Sequence, residues 1–376
     1  MDNLINIAFV SHFPHLKMGG QRSMTHLIEN LDRTKYRPFA ICPEPGELSE
    51  KLESIGCKCF FVPFHSLKPK FLSYALPNIF KVRDIIKSYN IDIIHPDFTA
   101  DTFICGLAKK GTSCKMVWHV RWNEHFPKDR IHERLADGII GVSDAAGTRF
   151  SDTPAIKNKY ITIYNGVDCE KFCPIDDKKA KRKELGIDDS RFMLIFVGVL
   201  KEGKGVLDIA NALAILKKDK DLPEMPLCVF AGSKGKQETY DEMLKIFKDN
   251  DLEEDINLVG QQTNIHEWMQ AADALMIPSH EGHEGMPRVL YESISCGTVG
   301  IGSNTSGVKE AVTPDSGILV EEMTPPDIAA AVKKIMLNPD LVKDLQINGR
   351  KRALEFFDIK KHAKSVQDFY TKILNL

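Results

Sequence analysis

The chain has 376 residues, of which 43% are hydrophobic and 27% charged, with 25 Gly and 19 Pro. This is a globular composition and excludes disordered, collagenous and coiled-coil proteins. A formal net charge of -2 gives no overall basic field for nucleic acid, and the length, set against the roughly 250–300 residues over which a single core keeps growing, predicts two domains or one large one.

Met1-Asp2-Asn3 leads at once into the apolar run Ile5 to Val10, without a basic leader or a cleavage-like apolar region. No signal peptide is expected, and no stretch of about 18 apolar residues predicts a membrane span. The expected location is the cytoplasm, with the cytoplasmic face of a membrane as an option. Among nine Cys, Cys57 and Cys59 form a C-x-C and Cys169 and Cys173 lie four apart. Neither pair is followed by a second at zinc-finger spacing, so the thiols read as small apolar residues and no metal is expected.

Strands and helices then alternate. After Ile5 to Val10, residues Gly20 to Leu31 read as a helix with Met24, Leu27, Ile28 and Leu31 on one face. Strands are predicted near Phe39 to Ile41, Cys59 to Val62, Ile91 to Ile94, Met116 to Trp118 and Gly138 to Val142. Past Asn165-Gly166-Val167-Asp168, the charged segment Pro174 to Ser190 reads as a connector with a short helix. The rhythm restarts with Phe192 to Val197, Leu227 to Ala231, Ile256 to Val259, Ala274 to Ile277, Thr298 to Ile301 and Gly317 to Val320. Short apolar strands separated by helices imply parallel sheets covered on both faces. The predicted architecture is α/β, with two doubly wound Rossmann-like domains over 1–165 and 166–359 and a ligand cleft between them. Lys360 to Leu376, with Val366, Phe369, Tyr370 and Ile373 at helical spacing, reads as a last amphipathic helix needing a partner surface.

Three loops carry the chemistry. Ser11 to Gly20 joins the first strand to the first helix, and Gly19-Gly20 lets backbone N–H groups approach an anion. It is not the G-x-G-x-x-G dinucleotide fingerprint, which disfavours a dehydrogenase. Gly198 to Val206 opens a helix in the second domain and sets Lys204 between two glycines, where a cation can meet a phosphate held by N–H groups. The third, Pro278 to Glu292, places Glu284 just before the helix opened by Pro287, and Glu292 within it. Each carboxylate can accept from two neighbouring hydroxyls, with N–H groups near Gly285 and Met286 between them. That pattern suits a nucleotide sugar. A solvated cap residue is the alternative for either Glu, and a polar loop for His280 and His283.

In this order the motifs resemble the retaining glycosyltransferases of family GT4, which have the GT-B fold, over nearly the whole length. Gly19-Gly20 resembles the family's N-domain glycine loop; Asn165 to Asp168 with Phe172 and Pro174 its N-G-V-D…F-x-P junction; Gly198 to Val206 its phosphate loop; Glu284 and Glu292 its E-x7-E motif. The resemblance implies that Glu284 contacts donor-sugar hydroxyls, Glu292 binds the ribose, and Gly285, Met286 and Pro287 surround the diphosphate. It further implies that Lys204 neutralises the departing diphosphate, joined on the donor side by Gly198 and Lys201. His119 would orient the sugar at the reaction centre, making Glu284, His119 and Lys204 the catalytic set. Gly20 would sit beneath the diphosphate or acceptor. Gly19, His12, His15, Lys17, Trp118, Arg121 and Trp122 could line the acceptor side. The C-terminal helix would cross back onto the N-domain. Val199 stands where the family usually has Arg, removing one phosphate cation that Lys201 could replace.

The charge of -2 is a cancellation, +5 over residues 1–165 against -7 over the rest. No acidic residue occurs from Ser54 to Arg83, where Lys58, Lys68, Lys70, Lys81 and Arg83 are interleaved with Phe60, Phe61, Phe64, Phe71, Tyr74 and Phe80. Such a stretch, residues 58–83, suits peripheral contact with anionic lipid, or else a core with solvated lysines. The expected activity is retaining transfer of a hexose or N-acetylhexosamine from a nucleotide-diphosphate sugar, UDP by family frequency, to a glycan or lipid-linked acceptor in surface polysaccharide assembly, without metal. The alternatives are a catalytically silent nucleotide-sugar-binding subunit and a GT-B epimerase or phosphorylase.

Overall fold

The structure is a computed structural model that describes residues 4–64, 72–121, 129–150, 156, 158–187, 189–280, 286–321 and 324–376. The chain divides into two compact units. One comprises Met1–Gly166 with Ile359–Leu376, the other Val167–Asp358.

The first unit holds a seven-stranded parallel sheet of β1 (Ile5–Val10), β2 (Tyr36–Cys42), β3 (Lys58–Phe61), β4 (Ile93–Pro96), β5 (Lys115–Val120), β6 (Gly138–Gly141) and β7 (Tyr160–Thr162), in the order β3-β2-β1-β4-β5-β6-β7. The central strand β1 shows why the sheet is buried on both faces: Ile7 and Phe9 pack into one apolar cluster, Ala8 and Val10 into the other. β7 has no counterpart among the predicted strands. It is a three-residue edge strand, only partly buried, and too short for an apolar run to mark it.

The second unit holds a six-stranded parallel sheet of β8 (Met193–Val197), β9 (Leu227–Ala231), β10 (Ile256–Gly260), β11 (Ala274–Ile277), β12 (Val299–Ser303) and β13 (Gly317–Val320), ordered β10-β9-β8-β11-β12-β13. The segment after Pro174 contains the short helix expected of it. Its helix Lys178–Glu184 is docked by the buried Arg182, which donates to the carbonyls of Ala271 (3.0 Å) and Arg191 (2.7 Å) and to Asp273 (2.7 Å).

In each sheet the strand order reverses at one place: between β1 and β4 in the first unit, and between β8 and β11 in the second. Ligands of doubly wound sheets bind at the carboxyl ends of such strands. The loops there are Ser11 to Gly20 and the Asp97 turn in one unit, and Gly198 to Gly205 and the described residues Pro278 to His280 in the other. The C-terminal helix Ile359–Leu374 belongs to the first unit, where Ala363, Val366, Phe369 and Tyr370 pack with Val117 of β5 and Ile140 of β6.

Among the described residues of the basic and aromatic stretch 58–83, some side chains are engaged within the fold and others are exposed. Phe60 and Phe64 pack with the core, Lys58 Nζ lies 4.5 Å from the Tyr89 ring centroid, and Arg83 donates to the carbonyls of Ala108, Leu107 and Lys110, closing the end of the helix Thr99–Ala108. Phe61 (43%), Leu76 (63%) and Phe80 (57%) remain exposed. Lys68, Lys70 and Phe71 lie outside the described residues. Among the described residues no helix is long and apolar enough to cross a membrane.

Candidate active site

At the reversal point of the second unit, the loop leaving β8 is tied by backbone to the loop leaving β9. Gly198 N donates to Ala231 O (3.0 Å) and Leu200 N to Ser233 O (2.9 Å). A Cβ on Gly232 would stand 1.7 Å from the Gly198 carbonyl oxygen, so only glycine fits there. Glu202–Lys204 make one tight 3-10 turn, and Gly205, at φ +70°, starts the helix Val206–Lys217. A left-handed φ favours glycine. Here crowding reinforces that preference, because a Cβ would lie 2.1 Å from Pro278 O. His280 N donates to Gly203 O (3.2 Å), and His280 Nε2 is 2.9 Å from Asp208 Oδ2. The loops after β8 and β11 therefore form one continuous backbone layer. Lys204 is half-buried in it, Lys201 is exposed, and Val199, at 42% exposure, faces solvent.

Across the β11 loop, Ser303 Oγ donates to Ser279 O (2.8 Å). Met286 and Pro287 are buried, and Pro287 caps the helix Arg288–Ser295. Glu284 and Gly285 lie outside the described residues. Glu292 is buried, and its Oε1 accepts from Arg288 Nε (3.2 Å) and Nη2 (2.7 Å), one helical turn earlier. This pairing neutralises and orients the carboxylate. Its Oε2 has no hydrogen bond among the described residues, which leaves one acceptor for a ligand hydroxyl.

In the first unit, the loop after β1 is cross-braced. Gln21 Nε2 donates to Ser11 Oγ (3.2 Å), and Leu16 N donates to Glu47 Oε2 (3.0 Å). The helix it enters is Gly19–Glu29, with Gly19 and Lys17 exposed and Gly20 partly covered. His12 stacks on Phe98, with ring centroids 4.2 Å apart, and its Nδ1 is 2.9 Å from Asp101 Oδ1. Burial lifts the Asp101 carboxyl to about 6, with His12 opposing the rise. Burial works against the charged form of His12, but its hydrogen bond to Asp101 wins and the imidazole pKa is raised. His15 is half-buried, stacked on Phe13 at 5.6 Å.

Arg121 is held by two protein partners. Its Nε donates to Asp97 Oδ2 and its Nη1 to Asn165 Oδ1, both at 3.2 Å, and its side chain is largely buried. Gly20 lies against it: a Cβ there would be 3.1 Å from Arg121 Cδ. Arg121 thus braces the glycine loop against the ends of β4 and β5. Trp118 is fully buried in the core, and Trp122 lies outside the described residues.

His119, on β5, is buried. Its Nδ1 is 3.1 Å from His95 Nε2, and His95 Nδ1 is hydrogen-bonded to the Tyr370 hydroxyl. Burial, with the Arg121 charge nearby, depresses the His95 pKa to about 3 and that of His119 well below the ordinary imidazole value. Both rings are neutral at physiological pH. His119 Nε2 has no partner among the described residues. Nor do those residues include a cluster of three or more His, Cys, Asp or Glu able to hold a metal ion.

Two family models match the chain. Glycosyltransferase Family 4 matches residues 18–171, and Glycosyl transferases group 1 matches 177–352. The chain belongs to the family 4 glycosyltransferases.

Among its relatives, this glycosyltransferase is 25% identical over 385 residues to the UDP-Gal:alpha-D-GlcNAc-diphosphoundecaprenol alpha-1,3-galactosyltransferase of Escherichia coli, covering 97% of this chain and 96% of that one. It is 23% identical over 314 residues to the N-acetyl-alpha-D-glucosaminyl L-malate synthase of Bacillus anthracis, 80% of each. In fold it resembles a glycosyltransferase from Rickettsia africae (TM-score 0.88, 20% identity, 99% of both chains) and Anabaena HepE in complex with UDP (TM-score 0.83, 19% identity, 98% and 100%). The fold is GT-B.

Several residues of this glycosyltransferase site went unread in its sequence. Arg288 stood inside the third loop, and its i,i+4 spacing to Glu292 was the available signal. His95 was hidden in the apolar run Ile93-Ile94-His95-Pro96, and Tyr370 among the apolar positions of the last helix. Asp97 and Asp101 acquire partners only through the fold.

Proposed function

We propose that this glycosyltransferase moves a hexose or N-acetylhexosamine from a UDP-sugar to a glycan or lipid-linked acceptor with retention of anomeric configuration, at the cytoplasmic face of the membrane during surface polysaccharide assembly. The observation that carries the reading is the backbone layer joining the loops after β8 and β11, with Lys204 in it and the Arg288-oriented Glu292 on the helix that follows. Such a layer offers N–H groups and one ammonium to a diphosphate, and a fixed carboxylate oxygen to ribose hydroxyls. Support comes from the UDP-galactose named for the Escherichia coli relative and the UDP bound to Anabaena HepE.

In this mechanism the leaving group is a nucleoside diphosphate, and Lys204 with the loop N–H groups stabilises its growing charge. Glu284 holds donor-sugar hydroxyls and His119 orients the sugar. The acceptor attacks from the leaving-group face, and the diphosphate takes its proton. Lys204 and the N–H groups carry the charge without a metal. The test is transfer from a panel of UDP-sugars to lipid-linked and soluble glycan acceptors, with product configuration read by NMR. Lys204→Ala and Glu284→Ala abolish transfer while the protein stays folded, and chelation by EDTA leaves the rate unchanged. Wild-type turnover in both variants overturns the site. Donor binding without transfer or hydrolysis identifies a silent binding subunit instead.

The exposed Phe61, Leu76 and Phe80, with Lys81 beside Phe80, favour peripheral contact with anionic lipid. Sedimentation with anionic liposomes at low salt and release at high salt is the expected result. Failure to sediment at either salt concentration discards it.

A further inference from the structure

We propose that Tyr370, on the C-terminal helix, is a positioning residue that fixes His119 as a hydrogen-bond donor, with its proton on Nε2. The proposal rests on the reading that His119 meets the donor sugar.

The argument is one of hydrogen-bond satisfaction along a buried chain. Tyr370 OH, His95 and His119 lie in sequence on the C-terminal helix, β4 and β5, each at most 2% exposed. A phenol has one hydrogen to donate, and a neutral imidazole has one N–H and one bare nitrogen. The hydrogen bond of the Tyr370 hydroxyl goes to His95 Nδ1, and no other partner is present among the described residues. Either direction leaves one buried hydrogen unmatched; if the hydroxyl accepted from His95 it would be the phenol's own, deep against the C-terminal helix, whereas if the hydroxyl donates it is the one on His119 Nε2, where a bound sugar oxygen can accept it. The hydroxyl therefore donates, and His95 Nδ1 is bare. His95 then carries its proton on Nε2 and donates it to His119 Nδ1 at 3.1 Å. His119 Nδ1 is the acceptor, so its proton sits on Nε2, the ring nitrogen that has no protein partner.

The direction of the whole chain is thus set at Tyr370. Reversing it would present a bare nitrogen at His119 Nε2, an acceptor in place of a donor. A buried N–H awaiting a partner suits an oxygen of the donor sugar, and a ring held neutral gives a directed hydrogen bond without acid or base chemistry. The C-terminal helix, far from the loops in sequence, contributes the group that decides this polarity.

The experiment is side-chain 15N NMR of the full-length, ligand-free protein, with His119→Gln identifying the His119 signals and Tyr370→Phe breaking the chain. Wild-type His119 shows a protonated Nε2 and a bare Nδ1. In Tyr370→Phe the two tautomers mix, and kcat for transfer falls about tenfold, the worth of one neutral hydrogen bond, with little change in KM for the donor. Protonation of wild-type His119 at Nδ1, or an unchanged tautomer in Tyr370→Phe, overturns the inference. The wild-type measurement stands even if Tyr370→Phe fails to fold. The predicted tautomers together with full transfer activity in His119→Gln leave the chain intact and instead refute the role given to His119 at the donor sugar.

Discussion

Gly205 and Pro278 meet at backbone level: a Cβ on residue 205 would lie 2.1 Å from the Pro278 carbonyl oxygen. The contact packs the start of one helix against the exit of β11, joining the two loops at this point. Gly205→Ala adds this clash to a left-handed φ of +70°. Forcing a non-glycine residue there costs about 1–3 kcal/mol for the backbone alone. The expected outcome is a lower melting temperature and weaker UDP binding, measured by thermal shift with and without nucleotide. A variant as stable as wild type, with unchanged UDP affinity, would show that the loops are not coupled.

Arg288 and Glu292 form a pair in which each makes the other tolerable. Arg288→Met leaves a buried carboxylate without its cation, which typically costs about 3–5 kcal/mol. The double variant Arg288→Met with Glu292→Gln recovers much of that loss, because no unpaired charge remains. Urea denaturation of the wild type, both single variants and the double variant closes the cycle. Glu292→Gln alone also raises the donor KM, since the oxygen left for a ribose hydroxyl loses its charge.

His95 makes stability depend on pH in a definite direction. Its folded pKa is depressed to about 3, below the unfolded value near 6.5. The stabilisation is therefore complete above about pH 6.5 and is lost as pH falls toward 3, because the unfolded chain takes up the proton first. His95→Asn lacks this term. The stability advantage of wild type over His95→Asn is largest at pH 7 and shrinks steadily by pH 4, with surrounding groups largely cancelling in the difference. A constant difference across that range would mean that the ring is not buried in its neutral form.

Val199 occupies an exposed position in the loop after β8. Val199→Arg should add a phosphate cation without disturbing the core. The expected result is a higher kcat at unchanged stability, measured by initial rates alongside a melting curve. An unchanged rate would indicate that Lys204 and the backbone already supply the needed charge.

The fold was legible because both sheets are built from strands buried on two faces. Runs such as Ile7 to Val10 and Ala274 to Ile277 are apolar and buried at every position. The edge strand β7 escaped for the opposite reason. The loops were legible through glycine and proline, whose backbone demands are local. What stayed hidden were partnerships across many residues: Arg121 with Asp97 and Asn165, His12 with Asp101, His119 with His95 and Tyr370. Their residue types were visible in the sequence. Their neighbours were created only when β1, β4, β5 and the final helix came together, and that is why the contacts of Arg121 with Asp97 and Asn165 could not be read from the sequence.

The C-terminal helix has a consequence in time as well as in space. Asp32 N donates to Gln367 Oε1 at 2.8 Å, across 335 positions of the chain, and Val366, Phe369 and Tyr370 complete a core begun by β1. During synthesis, the unit formed by Val167–Asp358 leaves the ribosome with all of its own strands and helices. The unit begun first is still missing a wall at that moment, and its apolar face over Val117 and Ile140 must wait, exposed, through the making of the other. The first half of the chain to be translated is therefore the last to be finished, and a ribosome that stalls late releases a protein whose second unit is whole and whose first is not.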